Sequence, residues 1–282
     1  MNLDSIERHS FAPVDHAYTA RDAILYALGV GCGADPLDEA DLGYVYEAGL
    51  KTVPSFVNVL AHPGFWAKDP RFGIDWIRIL HGEQSFEIHA PIPPEGRVRG
   101  TYRIDAVEDL GADRGARLYQ SKELHAVDGT HLATVRTVLF MRGDGGQGGF
   151  GSPAASPTPL PERAPDAVVE TPTLPRQALI YRLSGDLNPI HADPAAARRA
   201  GFEAPILHGL CTLGIATRAV IAARAPGAPE RLRSMSLRFS KPVFPGETIL
   251  TEIFGTGGSL RFRCRAKERD IVVLDRGSAE LL

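Results

Sequence analysis

Tyr181-Arg-Leu-Ser-Gly185-Asp186-Leu-Asn188-Pro189-Ile-His191 sets a carboxylate, a carboxamide and an imidazole within six residues. Pro189 fixes its own φ and pushes Asn188 away from helical geometry, and Gly185 permits a tight turn beside Asp186. An acid and an imidazole on one bent loop can both hydrogen-bond a single water. A water so held can add to, or leave from, a polarised double bond. Read alone, Asp-Leu-Asn-Pro is also an ordinary turn in which Asp186 or Asn188 caps a helix. The context argues for more. His191-Ala-Asp193-Pro194-Ala-Ala-Ala-Arg-Arg-Ala200 follows, with Asp193 as N-cap and Pro194 at the first helical position. Then come Gly201-Phe-Glu-Ala-Pro-Ile-Leu-His208-Gly209 and an apolar helix.

This run resembles the hydratase 2 motif of the MaoC-like hydratases. The resemblance extends from Tyr18-Thr-Ala-Arg-Asp-Ala-Ile-Leu-Tyr-Ala-Leu-Gly-Val-Gly31, through Leu80-His-Gly-Glu-Gln84, to Phe239-Ser-Lys-Pro-Val-Phe-Pro-Gly246, and so covers most of the chain. It implies the reversible hydration of trans-2-enoyl-CoA to (R)-3-hydroxyacyl-CoA. That is the activity of the hydratase module of peroxisomal multifunctional β-oxidation enzymes and of their stand-alone bacterial relatives.

Gly143 to Pro175 is rich in Gly, Pro, Ala and Ser and reads as a linker without a regular core element, tolerant of trimming. It divides the chain into residues 1–142 and 176–282, which carry a faint repeat. In the first, Phe86-Glu-Ile-His-Ala precedes a Pro/Gly turn and the alternating Val98-Arg-Gly-Thr-Tyr-Arg-Ile104. In the second, Leu237-Arg-Phe-Ser-Lys precedes a Pro/Gly turn and Thr248-Ile-Leu-Thr-Glu-Ile253. Each half has a further strand, Leu132 to Phe140 and Leu260 to Ala266. Each also has an apolar helix upstream, Val53 to Leu60 and Leu210 to Ile221. A helix followed by an antiparallel sheet is an α+β pattern. With the resemblance it implies a double hotdog, two antiparallel sheets side by side, each wrapped around a long helix. Only the second half carries the motif, so one active site per chain is expected, with the first half shaping an acyl pocket.

At 282 residues, 44% hydrophobic and 23% charged, the chain has an ordinary globular composition. A net charge of -3 gives no reason to expect nucleic acid. No apolar run approaches the ~20 residues of a membrane helix. Three scattered cysteines, Cys32, Cys211 and Cys264, suit a reducing compartment. The last residues, Ala279-Glu-Leu-Leu282, are not a Ser-Lys-Leu address, so a cytoplasmic enzyme of the bacterial type is expected, as a homodimer.

Hydration of an enoyl thioester needs a water aimed at C3, a proton for C2 and stabilisation of charge on the thioester oxygen. The resemblance makes Asp186 and His191 the catalytic pair, with Asn188 orienting the water or the loop. Gly209 opens a helix, where backbone N–H groups lack partners and the dipole is positive. The family uses the matching glycine amide as the oxyanion donor, although a glycine there can also only relieve a tight turn. His208 reads as structural. By resemblance His81-Gly82 and Phe239 contact ligand, and Glu47 matches an acidic residue tied to activity. A Glu before a helix is also ordinary dipole compensation. The family has a ligand-contacting lysine near Asp109-Leu-Gly-Ala-Asp-Arg114-Gly115. No lysine stands there, and Arg114 is the one substitute on offer. The histidines lack metal spacing, so neither metal nor cofactor is expected. Other readings are a MaoC-like dehydratase of another 3-hydroxyacyl-CoA, a hotdog thioesterase, and a non-catalytic acyl-CoA-binding protein.

Overall fold

A computed structural model describes residues 1–155 and 157–282. Its strands are β1 (Val14–Tyr18), β2 (Ile79–Ile88), β3 (Gly96–Asp109), β4 (Ala116–Ala126), β5 (His131–Met141), β6 (Phe150–Gly151), β7 (Ala167–Pro172), β8 (Leu232–Phe239), β9 (Thr248–Phe254), β10 (Ser259–Ala266) and β11 (Ile271–Leu281). The helices are α1 (Leu3–Glu7), α2 (Ala20–Gly29), α3 (Glu39–Leu42), α4 (Gln177–Tyr181), α5 (Pro194–Arg199) and α6 (Gly209–Arg224).

The strands form one antiparallel sheet in the order β1-β3-β4-β5-β2-β8-β11-β10-β9-β7, with β6 paired to β3. The two repeats meet where β2 pairs with β8, Gln84 opposite Leu237 and Phe86 opposite Met235. The two halves of the chain are therefore one continuous sheet. Period-two alternation sets which face is core. Along β10, Leu260, Phe262, Cys264 and Ala266 are buried, while Arg263 turns outward to pair with Glu252 on β9. Helix α6 is apolar on nearly every face and is buried from Cys211 to Ile221 except at Arg218, as a helix enclosed by a sheet must be.

The first repeat departs from expectation. Val53 to Leu60 is not a long helix; it forms a 3-10 turn over Pro54–Asn58. His62 precedes Pro63, which disfavours helical geometry there. Ala61 adopts a left-handed φ of 49°, its N–H donating to His16 Nδ1 at 2.8 Å and its carbonyl accepting from Tyr102 Oη at 2.9 Å. The carbonyls that a helix would have used are taken by Lys122 of β4. Its buried Nζ donates to Val57 O at 2.7 Å, Leu60 O at 2.6 Å and Asn58 O at 3.4 Å.

Burial pushes Lys122 down to about 7, so its charge is costly here. Removing it would nevertheless leave three buried acceptors unpaired, at about 1–3 kcal/mol each. The acceptors outweigh the relief of burial, so Lys122→Met is expected to lose about 2 kcal/mol or more. Thermal unfolding checks this through a Tm several degrees lower, and an unchanged Tm would contradict it.

The segment 143–175 is also more ordered than its composition suggests; Ser156 within it lies outside the described residues. Phe150–Gly151 pairs with Ala106 and Val107, and β7 pairs with β9 over six residues. The composition misleads because the Gly/Pro density ends before Ala167, where Ala-Val-Val-Glu-Thr-Pro alternates. Its Pro172 is tolerated because β7 is an edge strand. The glycine run lies flat on β3: a Cβ on Gly149 would stand 2.2 Å from Val107 O. Asp109 accepts N–H bonds from Gly146 and Gly148 at 2.8 and 2.7 Å. Trimming here would remove packed backbone, contrary to the tolerance expected of a linker. No helix among the described residues is long and apolar enough to cross a membrane.

Candidate active site

Helix α4 runs into a 3-10 turn over Arg182–Ser184 and stops at Gly185, whose φ of +120° reverses the chain. Asp186 follows, its Oδ1 accepting the Asn188 N–H at 3.0 Å. Asn188 is extended, as the following proline requires, and its Oδ1 accepts the Ile190 N–H at 3.3 Å to start a second 3-10 turn, Pro189–His191. Asn188 thus orients the loop. Asp193 then caps α5, accepting the Ala195 N–H at 2.8 Å.

This folding points Asp186 and His191 at each other. His191 Nε2 lies 3.9 Å from Asp186 Oδ2. Two atoms so spaced leave room for one water oxygen at about 2.8 Å from each. The imidazole is buried, and its Nδ1–H donates to the Ile206 carbonyl at 2.8 Å. That bond fixes the tautomer and leaves the Nε2 lone pair facing the gap. Burial lowers the His191 pKa below its usual value, partly offset by the Ile206 carbonyl and by Asp186. His191 is therefore a neutral proton acceptor at pH 7. The Asp186 side chain is 55% exposed, so the gap opens to ligand.

His208 is the N-cap of α6, and the Gly209 N–H that follows donates to no protein acceptor among the described residues. Phe239 closes on this amide: a Cβ on Gly209 would meet the ring at 3.0 Å. The His81 ring lies 4.6 Å from that of Phe239. His81 Nε2–H donates to Gln84 Oε1 at 2.8 Å, and Gln84 in turn donates to Asn58 at 2.7 Å. Gly82 sits at a bulge, since His81 faces Leu139 while Glu83 faces Val138. The geometry therefore strings Asp186, His191, His208, Gly209, Phe239 and His81 together by contact. Glu47 is not among them; it stands exposed in a turn after α3, without a side-chain hydrogen bond.

One cavity adjoins the Asp186 loop, and a second lies on the first repeat. The first, of about 400 Å³, has an apolar wall of Leu25, Phe56, Val59 and Leu183 and a polar side of Asp15, His16, Asp22 and His62. The other, of about 480 Å³, holds Arg78, Arg114, Arg117 and Arg142 around Leu110 and Phe140, with Asp113 as its single acid. Arg117 is paired with Glu108 and Arg78 with Asp75, while Arg114 and Arg142 have no ion-pair partner among the described residues. Phe140 faces Leu80 across the ladder, and a Cβ on Gly82 would stand 3.8 Å from Phe140 Cβ, so the cleft's Phe140 packs under the bulge.

The MaoC like domain family matches residues 157–275, and the MFE-2 hydratase 2 N-terminal domain matches residues 16–143. The chain is 36% identical to a peroxisomal enoyl-CoA hydratase 2 of Arabidopsis thaliana over 97% of this chain and 93% of the relative. The chain belongs to the MaoC-like hydratase 2 family. The crystal structure of a MaoC-like dehydratase from Phytophthora capsici superposes with a TM-score of 0.88 at 34% identity, covering 100% of this chain and 99% of that one. A Mycobacterium tuberculosis protein of double-hotdog fold superposes at 0.56 with 16% identity, over 97% and 96% of the two chains, and shares the fold. The architecture is thus a double hotdog in which only the second repeat retains the long central helix.

Within this hydratase 2 chain, His208 reads from sequence as structural, and His62 is not singled out. His208 stacks on His191 with ring centroids 3.6 Å apart. His62 lines the same cavity as Gly185. A histidine before a helix-opening glycine was the available signal for His208; His62 had none. Asp186, His191 and His208 also bring one ligand atom each within 4.8 Å of one another, a spacing that a divalent ion could bridge. His191 Nδ1 is bonded to the Ile206 carbonyl and His208 Nε2 to the Asp186 carbonyl, which leaves the other nitrogen of each ring as the one without a protein hydrogen bond among the described residues.

Proposed function

We propose that the protein is an (R)-specific enoyl-CoA hydratase that adds water to trans-2-enoyl-CoA and, in reverse, dehydrates (R)-3-hydroxyacyl-CoA. The observation that carries this reading is the 3.9 Å gap between His191 Nε2 and Asp186 Oδ2, beside an amide with no protein acceptor. In this mechanism the enoyl thioester oxygen accepts from the Gly209 N–H, at the positive end of α6. The enone is thereby polarised and C3 becomes electrophilic. The water held between Asp186 and His191 loses a proton to the pair as its oxygen bonds to C3, and the pair returns a proton to C2. Asp186 and His191 act together on the one water. The acyl chain lies against Leu25, Phe56, Val59 and Leu183, which supply an apolar wall. Buried polar atoms without a hydrogen-bond partner among the described residues cluster around this loop, at Tyr181 Oη, Arg182 Nε, Ser184 Oγ and His208 Nδ1. The three cysteines are buried thiols, which suits a reducing cytoplasm, and a homodimer is the assembly we expect.

The arginine cleft takes the CoA phosphates in this reading, with Arg114 and Arg142 free to donate bidentately. Replacing both by Ala is expected to raise KM for crotonyl-CoA by about tenfold or more, since bonds to charged groups are worth about 1.5–3 kcal/mol. kcat and the KM for the crotonyl ester of pantetheine, which lacks those phosphates, should stay unchanged. An equal rise for both substrates would remove the cleft from the reading. The functional assignment itself is tested on crotonyl-CoA: hydration bleaches the enone band without releasing free CoA. Thiol release would make the protein a thioesterase, and binding with neither change would make it a non-catalytic carrier.

A further inference from the structure

His208 contacts both Asp186 and His191 and leads directly into the Gly209 amide. Its Nε2–H donates to the backbone carbonyl of Asp186 at 3.1 Å. Its ring lies against that of His191 at 3.6 Å and 24°, and against Tyr181 on the other side at 4.9 Å. Its own carbonyl accepts N–H bonds from Cys211 and Thr212, both at 3.1 Å, so its backbone is fixed as the start of α6, and its peptide bond leads to the Gly209 amide. The residue is 2% exposed, and Nδ1 is buried with no partner among the described residues. A structural histidine would be expected to satisfy both nitrogens. This one leaves Nδ1 bare, which fits only a neutral ring: a proton there would be a buried cation without an acceptor, beside His191.

We propose that His208 is a positioning residue for the hydration, a neutral brace that sets the Asp186–His191 gap. The N–H bond fixes Asp186 from its backbone, and the stack fixes the plane of His191. A gap of this kind tolerates little drift, since a misplacement of about 1 Å costs on the order of 10²-fold in rate. A neutral ring serves both purposes without placing an unpaired charge beside His191. Burial, and then the neighbouring His191, lower its pKa to about 4, so it remains neutral throughout the working range. The brace rests on the hydratase reading for its chemical purpose, but its geometry is testable without turnover.

Two variants separate its contacts. His208→Phe keeps a flat ring and removes the N–H donor; His208→Gln keeps an N–H donor and removes the ring. His208→Phe is expected to lower kcat for crotonyl-CoA hydration by about 10²-fold, with KM within about twofold. His208→Gln is expected to recover about a tenth of wild-type turnover. Turnover within twofold of wild type in His208→Phe, or a Gln variant no better than the Phe variant at equal Tm, would overturn the proposal. ¹⁵N NMR of the unaltered protein tests the same arrangement should either variant fail to fold. The His208 ring is expected to keep the Nε2–H tautomer from pH 8 down to pH 5; a midpoint near 6.5, or the Nδ1–H tautomer, would overturn it. Absence of hydration by the wild-type protein would strike the functional reading and leave the NMR result to decide the brace.

Discussion

Asp186→Asn is expected to lower kcat by at least ~10²-fold, the low end of what a positioned acid–base group contributes. The fold should be untouched, because the side chain is 55% exposed and the amide oxygen of Asn can still accept the Asn188 N–H now bonded to Oδ1. What changes is the atom 3.9 Å from His191 Nε2. A carboxylate oxygen accepts from the water, leaving the water's other hydrogen for the His191 lone pair. An amide NH2 there donates instead and turns the water away. Steady-state hydration of crotonyl-CoA, with circular dichroism as the control for fold, reads this directly. Near wild-type turnover would exclude Asp186 from the chemistry.

His191→Ala is expected to lose activity to a similar degree, and the Asp186→Asn/His191→Ala double variant to lose less than about tenfold more. Residues that act as a unit are strongly non-additive, because removing either one already releases the water. Losses that multiplied cleanly would contradict a shared water. His191→Ala should also lower Tm somewhat, since it leaves the Ile206 carbonyl without its donor and a void in a buried site. The pH dependence follows from the sign of the shift. Burial lowers the His191 pKa, so the base stays neutral, and activity persists, below its ordinary value of 6.5; activity is lost only as pH falls through the lowered value. An acid limb centred above 6.5 would mean that His191 is not the acceptor.

Much of the second repeat is legible in the sequence because its elements are periodic. Leu260 to Ala266 alternates without interruption and is β10; the apolar run from Leu210 is α6, which continues to Arg224. Strand β11 is harder to read, since register shifts between Asp275 and Ser278 break its alternation. In the first repeat the apolar stretch from Val53 suggests a helix, but apolarity does not reveal that Lys122, more than sixty residues away, captures the carbonyls of Val57 and Leu60. The glycine run at 145–151 looks like a flexible linker because composition cannot show that it lies flat on the β3 backbone.

The site divides in the same way. Asp186, Asn188 and His191 lie on one short loop, so local stereochemistry sets their proximity. The sequence of contacts from His191 through His208 and Gly209 to Phe239 and His81 spans both repeats and arises only when β2 pairs with β8. Glu47 illustrates the reverse: a residue matched by sequence to a functional position stands exposed in a turn, with no bond to the loop. The arginine cleft draws residues from β2's approach, the β3–β4 turn and β5, and no short stretch of sequence announces it.

In the proposed mechanism one water, delivered from the Asp186–His191 side to an enone pinned at the Gly209 amide, adds to a single face. Family membership supplies the hand. Crotonyl-CoA hydrated in the presence of NAD and a dehydrogenase selective for the (S)-3-hydroxy product tests it. The account predicts bleaching of the enone with no NADH formed; rapid NADH formation in step with bleaching would contradict it.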